Sequence, residues 1–190
     1  MELSTTKINN ELQKLFYEIF GTKFNFVMST TTECIPSQIP RVIMYSIVTD
    51  YDNKQSGDRA FANFVNQRAQ ERLITCALDS LVMGIIHEIG HFYTWYTFST
   101  NERLKYDLEK QKIADTVDAE NVTIKDHYKY FRLPVELAAT KFAINWAKDN
   151  MAAYIYLKDR IQSIIHDFYN EYKIEDIKLE DKLIKSEEDV

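Results

Sequence analysis

This sequence has few of the residues that break helices or crosslink a chain. Its 190 residues include four glycines, three prolines and two cysteines. The shortage of glycine and proline favours long helices and argues against a turn-rich all-β fold. Cys34 and Cys76 lie far apart and do not make the disulfide framework of a small secreted domain. Cys76 falls in an apolar run, where it is most simply a core residue.

An excess of positive charge is also absent. The net charge is −6 at pH 7, and no basic stripe with interleaved aromatic residues occurs, which argues against a general nucleic-acid binder. The N-terminus lacks the cationic and apolar pattern of a secretory signal. No apolar run free of functional residues reaches the length needed to span a membrane. We therefore expect a cytoplasmic protein that binds neither nucleic acid nor membranes.

The length and the hydrophobic content of the chain suit one globular domain. Hydrophobic residues make up 45% of the chain, enough to bury a substantial core, and we expect a single domain over residues 1–190. Apolar residues recur at helical spacing in residues 4–20, just before Gly21. Acidic residues and lysines alternate at about residues 171–190, which predicts an acidic C-terminal tail.

A region after the first predicted helix has the pattern of strands. Polar and apolar residues alternate at 24–29, and residues 41–49 are dense in valine and isoleucine. If the strand at 42–48 forms the upper edge of a cleft, an extended peptide could add to it. The expected fold class is α+β, mostly helical, with a small β-sheet at about residues 22–50 beside a long helix at 73–98.

That long segment, residues 73–98, contains the pentad His87-Glu88-Ile89-Gly90-His91. The segment has no proline and few charges, which predicts a helix buried on nearly all sides. Four residues of helix bring His87 and His91 onto one face, where two imidazoles can hold a zinc ion. Glu88 can reach a water on that ion as a general base. Two core histidines and a buried acid, each satisfied by other partners, are the alternative.

A catalytic zinc site needs a third protein ligand and an open position for water. The available side chains downstream or nearby are His127, His166, Cys34, Cys76 and several acids. Glu136 is the strongest candidate, because it opens a second long helix at Pro134. Its face continues through Ala139, Thr140 and Ala143, whose short side chains would let that helix lie close to the pentad. The alternative is an exposed glutamate that stabilises the helix dipole.

The pentad followed by Glu136, Ala139, Phe142 and Ala143 resembles the gluzincin type of zinc metallopeptidase. It looks most like the ImmA/IrrE group of small bacterial and phage-associated proteases, whose pattern is HExxH followed by E-x-x-A-x-x-F-A. The resemblance covers about the central third of the chain. It implies a zincin-like domain with Zn²⁺ as cofactor, the metal ligands His87, His91 and Glu136, and the catalytic base Glu88.

The long interval between His91 and Glu136 holds further candidates. Its charged residues, 101–126, predict an inserted helical hairpin on the surface or a lid over the cleft. His127, Tyr128 and Tyr130 follow, and zinc peptidases commonly place a histidine or tyrosine donor where the oxyanion develops. We therefore predict catalytic roles for His127 and Tyr128, with ordinary aromatic packing as the alternative.

The resemblance implies hydrolysis of peptide bonds in a peptide or protein substrate. Two rival functions stay open. In the first, the chain is a zinc-bound but proteolytically inactive interaction or regulatory protein, for example a phage-associated one, with residues 99–133 plugging the cleft. In the second, it is a metal-free structural protein in which the pentad is coincidental.

Overall fold

The computed structural model describes residues 5–29, 32–36, 39–47, 56–117 and 123–172. Within these ranges it contains seven α-helices and one three-stranded mixed sheet. The predicted fold class, a mostly helical α+β domain with a small sheet, is therefore confirmed. The predicted acidic tail, about residues 171–190, lies almost entirely outside the described residues.

Seven helices lie within the described residues, and the first ends where the sequence predicts, just before Gly21. In chain order they are α1 (Thr6–Phe20), α2 (Ser56–Ala69), α3 (Ala77–Thr94), α4 (Thr100–Thr116), α5 (Ile124–Phe131), α6 (Pro134–Asp149) and α7 (Met151–Tyr172). A 3-10 turn, Trp95–Thr97, follows α3. Gly21 ends α1 with a φ of 63°, a left-handed conformation that glycine adopts without strain.

The pentad helix α3 begins later than the apolar run that predicts it. Asp79 in its first turn accepts hydrogen bonds from the Thr75 backbone N–H and hydroxyl, at 2.9 and 2.7 Å. Lys158 of α7 forms an ion pair with the same carboxylate. Burial raises the pKa of Asp79, but hydrogen bonds from Lys158 and Thr75 outweigh it and hold that pKa below its ordinary value. These contacts fix the start of α3 and tie it to α7.

The sheet is built from β1 (Asn25–Met28), β2 (Glu33–Cys34) and β3 (Val42–Tyr45), in the order β1-β3-β2. β1 runs parallel to β3, and β2 runs antiparallel to it. β3 pairs on both sides and is not an edge of the sheet, so the condition under which residues 42–48 would offer an edge to a peptide is not met. The edge next to α3 is β2, a strand that the sequence pattern does not predict.

The main core lies between the sheet, α1, α3 and α7. α3 is buried from Ala77 to Phe92 apart from Gly84, as its apolar sequence predicts. A second apolar cluster, called here the Trp95 cluster, lies beneath α4 and α5. It comprises the buried residues Trp95, Tyr106, Leu133 and Val135 and the half-buried residues Phe98, Ile113 and Tyr130. This cluster borders the start of α6, where Glu136 stands.

None of the described helices combines the length and the apolar composition that crossing a membrane requires.

Candidate metal centre

Three predicted ligands come together where α3 packs on α6. Candidate donor atoms of His87, His91 and Glu136 all lie within 4.8 Å of one another. The Oε2 atom of Glu136 is 3.1 Å from His87 Nε2 and 3.3 Å from His91 Nε2. The three residues are buried, with Glu136 only 1% exposed. Two imidazoles and one carboxylate in this arrangement can hold a metal ion.

Small residues allow the two helices to approach. A Cβ atom on Gly90 would lie 2.9 Å from the Ala139 carbonyl oxygen and 3.0 Å from Phe142 Cδ1, so only glycine fits there without a shift of α6. Ala139 is fully buried at the contact. This agrees with the prediction that the short side chains of α6 let it lie against the pentad helix.

The histidine rings present the same nitrogen to Glu136. The Thr140 hydroxyl lies 3.3 Å from His87 Nδ1, and the Phe61 ring meets the His87 ring edge to face with centroids 5.5 Å apart. Nε2 of His87 is thereby left for the site. His91 also directs Nε2 at Glu136, while its buried Nδ1 has no hydrogen-bond partner within the part of the chain that the structure describes.

The two oxygens of Glu136 have different partners. Oε2 faces both imidazoles, and Oε1 accepts a hydrogen bond from the Tyr106 hydroxyl of α4. The Tyr106 hydroxyl in turn lies 3.4 Å from that of Tyr130 on α5. Tyr106 was not predicted from the sequence. Tyr130 is one of the histidine and tyrosine residues before Glu136 that the sequence offers as an oxyanion donor.

The electrostatics of the site favour an ionised carboxylate beside a charged imidazole. Burial raises the pKa of Glu136, but hydrogen bonds from His87 and His91 and their charge outweigh it and hold that pKa well below its ordinary value. Burial lowers the pKa of His91, but the hydrogen bond and charge of Glu136 outweigh it and raise that pKa. An ionised glutamate is the form that binds metal.

Glu88 lies beside the three ligands rather than among them. It is buried, and burial raises its pKa despite the opposing effect of His91 and His87. Cys34 of β2 donates its thiol to the Glu88 carbonyl oxygen at 3.5 Å. Burial, and then the charge of Glu88, raise the pKa of Cys34. Cys34 thus lies next to Glu88, and its sulfur is not among the donor atoms that converge at the candidate metal site.

The structure places His127 and Tyr128 towards α2. The His127 ring stacks on Phe131 with centroids 6.2 Å apart and lies against Gly57. The Tyr128 ring packs 6.0 Å from that of Phe64. Their catalytic roles stay predictions. Tyr130, on the same helix, brings its hydroxyl to Tyr106 and thus to the metal centre.

Comparison with known proteins gave no match to a family model, to a curated protein or to a solved structure. The gluzincin resemblance therefore stays a prediction, and the functional argument depends on the residues and geometry of this site.

Replacing Gly90 with alanine should destabilise the protein by about 1–3 kcal/mol, the usual cost of overpacking a tight contact. The added methyl group would lie 2.9 Å from the Ala139 carbonyl oxygen, so α6 would have to move. Since α6 carries Glu136, metal affinity should fall as well. Urea unfolding and a metal titration measure the two effects.

Gly84→Ala is the matched control in the same helix. Its Cβ atom would lie 3.6 Å from Thr32 Cγ2, which is an ordinary contact. Alanine is favoured over glycine inside a helix by about 1 kcal/mol, so this variant should be as stable as the parent or more so. Equal stability of the Gly90 and Gly84 variants would contradict the tight approach of α3 and α6.

Proposed function

We propose that this protein is a zinc-dependent peptidase. The observation that carries the proposal is the convergence of His87 Nε2, His91 Nε2 and Glu136 Oε2, with the Glu88 carboxylate alongside. Ligand atoms about 2.0–2.1 Å from a tetrahedral zinc ion lie roughly 3.3–3.5 Å apart. The separations of 3.1 and 3.3 Å to Glu136 Oε2 are close to that spacing. Two histidines and one glutamate also form a ligand set of catalytic zinc sites, which leave one position for water.

When bound, zinc would supply a Lewis acid that polarises a peptide carbonyl and lowers the pKa of a water molecule. The Glu88 carboxylate would serve as the base for that water and then as the proton donor to the leaving amine. Burial raises the pKa of Glu88. A carboxyl group with a raised pKa is better suited to accept a proton in one step and to donate it in the next. The neutral Cys34 thiol beside Glu88 donates a hydrogen bond and is not the nucleophile.

The sheet supports a peptide as substrate. β2 pairs with β3 on one side and with no other strand in the described ranges. It adjoins the pentad through the hydrogen bond from the Cys34 thiol to the Glu88 carbonyl oxygen. An extended peptide can add to such an edge by backbone hydrogen bonds. Binding of this kind would place a peptide carbonyl near the metal centre and would impose little sequence preference.

One observation favours the second candidate, a zinc protein without peptidase activity. His87, His91 and Glu136 are each at most 4% exposed, and Tyr106 and Tyr130 of the inserted segment lie over Glu136. This cover supports the second candidate, which requires residues 99–133 to close the site. From the side of Glu136, a peptide would reach the ligands only after Tyr106 and Tyr130 move.

The test of the proposal is hydrolysis of a peptide library of mixed sequence. The zinc-loaded protein should generate new termini, detected by mass spectrometry, at positions with little sequence preference. A chelator should abolish the cleavage, and zinc at about one equivalent should restore it. Cleavage that persists without metal would contradict the proposal. Tight zinc binding without any cleavage would support the second candidate instead.

A further inference from the structure

α4 is an exposed helix with one buried residue. Leu104 and Leu108 are 58% and 55% exposed, whereas Tyr106 is 8% exposed. The Tyr106 ring packs edge to face on Trp95, with centroids 6.1 Å apart. A buried tyrosine hydroxyl requires a hydrogen-bond partner, and the partner here is Glu136 Oε1. The one buried side chain of this charged helix, Tyr106, therefore donates its hydroxyl to Glu136, a candidate metal ligand.

We propose that Tyr106 is a positioning residue that makes Glu136 a one-oxygen metal ligand. This inference depends on the metal site of the proposed function. A carboxylate can bind a metal through one oxygen or both. The Tyr106 hydroxyl donates a hydrogen bond to Oε1 of Glu136, while Oε2 faces His87 Nε2 and His91 Nε2. Oε1 is thus kept from the metal, and the coordination position that it would take is left for water.

The surroundings of Tyr106 hold its hydroxyl in place. The Tyr130 hydroxyl lies 3.4 Å from it, and the Lys110 ammonium lies 6.0 Å from the Tyr106 ring centroid and 5.6 Å from that of Tyr130. Leu133 and Val135, on the other side, complete the Trp95 cluster at the start of α6. The segment between His91 and Glu136 therefore supplies part of the metal centre's supporting shell. The residues between His91 and Glu136 then have a structural role, which is to hold Glu136 in place.

The test is the variant Tyr106→Phe, which keeps the ring on Trp95 and removes the hydroxyl. Partners that orient metal ligands typically change metal affinity by about 10–100-fold when removed, and we expect a loss of zinc affinity in that range. A titration against a chromophoric chelator measures it. In the cobalt-substituted protein, visible absorption should weaken as Glu136 Oε1 joins the metal, because five-coordinate cobalt(II) absorbs less strongly than four-coordinate cobalt(II).

Tyr96→Phe is the matched control, since Tyr96 lies in the adjacent 3-10 turn and is 66% exposed. It should bind zinc and cobalt as the parent does. Tyr130→Phe should weaken zinc binding less than Tyr106→Phe does, because the short hydrogen bond to Glu136 Oε1 comes from the Tyr106 hydroxyl, and the Tyr130 hydroxyl lies 3.4 Å from that hydroxyl. A larger loss in Tyr130→Phe would overturn the assignment of Oε1 to Tyr106.

Two results separate this inference from the proposed function. If the parent binds zinc tightly, and Tyr106→Phe has the same affinity and the same cobalt spectrum, the positioning role is overturned and the metal site stands. If the parent itself binds no zinc, the metal site fails and the inference fails with it. A parent-like cobalt spectrum with weakened affinity would also overturn the one-oxygen role, because that role predicts a change in coordination.

Discussion

Replacing Glu136 with alanine should weaken zinc binding by more than about 100-fold, beyond the range typical of outer-shell partners. Glu136 Oε2 is the atom towards which both imidazole Nε2 atoms converge, at 3.1 and 3.3 Å. Without it, two imidazoles alone leave the ion half solvated and without a fixed geometry. A zinc titration by competition with a chelator of known affinity measures the loss.

Glu102→Ala is the control for this prediction. Glu102, like Glu136, is an acid in the first turn of a helix, but it is exposed and caps α4 through Ser99. Its removal should leave zinc affinity unchanged. If Glu136→Ala retains tight binding, Glu136 is only a first-turn helix residue, and a different side chain, such as His127, must be tested as the third ligand.

Glu88→Gln should keep the fold and the bound zinc but lower peptide hydrolysis by at least about 100-fold, the usual contribution of a positioned general base. The amide is close in size to the carboxylate, so packing against Cys34 and the pentad should survive. It cannot accept the proton of the attacking water. The measurement compares initial cleavage rates and metal content of the two proteins.

The matched control is Glu18→Gln, the same chemical change at an exposed position of α1. It should cleave peptides at the parental rate. If Glu88→Gln also cleaves at that rate with its zinc retained, Glu88 is not the base, and the proposed mechanism is wrong although the metal site stands. If Glu88→Gln loses its zinc, Glu88 contributes to metal binding, which the present geometry does not assign to it.

The residues at the centre of the site can be predicted from the sequence because their arrangement depends on spacing within single helices. His87 and His91 share a helix face by spacing alone, and Pro134 with a run of short side chains marks the helix that carries Glu136. The apolar run of α3 predicts its burial, and Gly21 predicts the end of α1. In each case the signal lies within one helix or at its terminus.

The parts that sequence does not reveal depend on contacts between distant segments. α4 shows little apolar periodicity, so nothing local separates the buried Tyr106 from its exposed neighbours; its burial depends on Trp95 and Glu136. β2 has two residues, too few for an alternating pattern, and its pairing on β3 decides which strand is the edge. Tyr128 and Tyr130 are two positions apart on α5, about 200° around the helix, and only the contact between α4 and α5 shows that the Tyr130 hydroxyl lies beside Tyr106.

The proposed function requires that the chain binds zinc through the pentad. The decisive measurement is the metal content of the purified protein and of His87→Ala and His91→Ala, determined by elemental analysis after exhaustive dialysis. The account predicts about one zinc ion per chain in the parent and almost none in either variant, because each variant loses a ligand. Equal zinc content in the parent and both variants, or none in the parent after zinc is supplied, would contradict it.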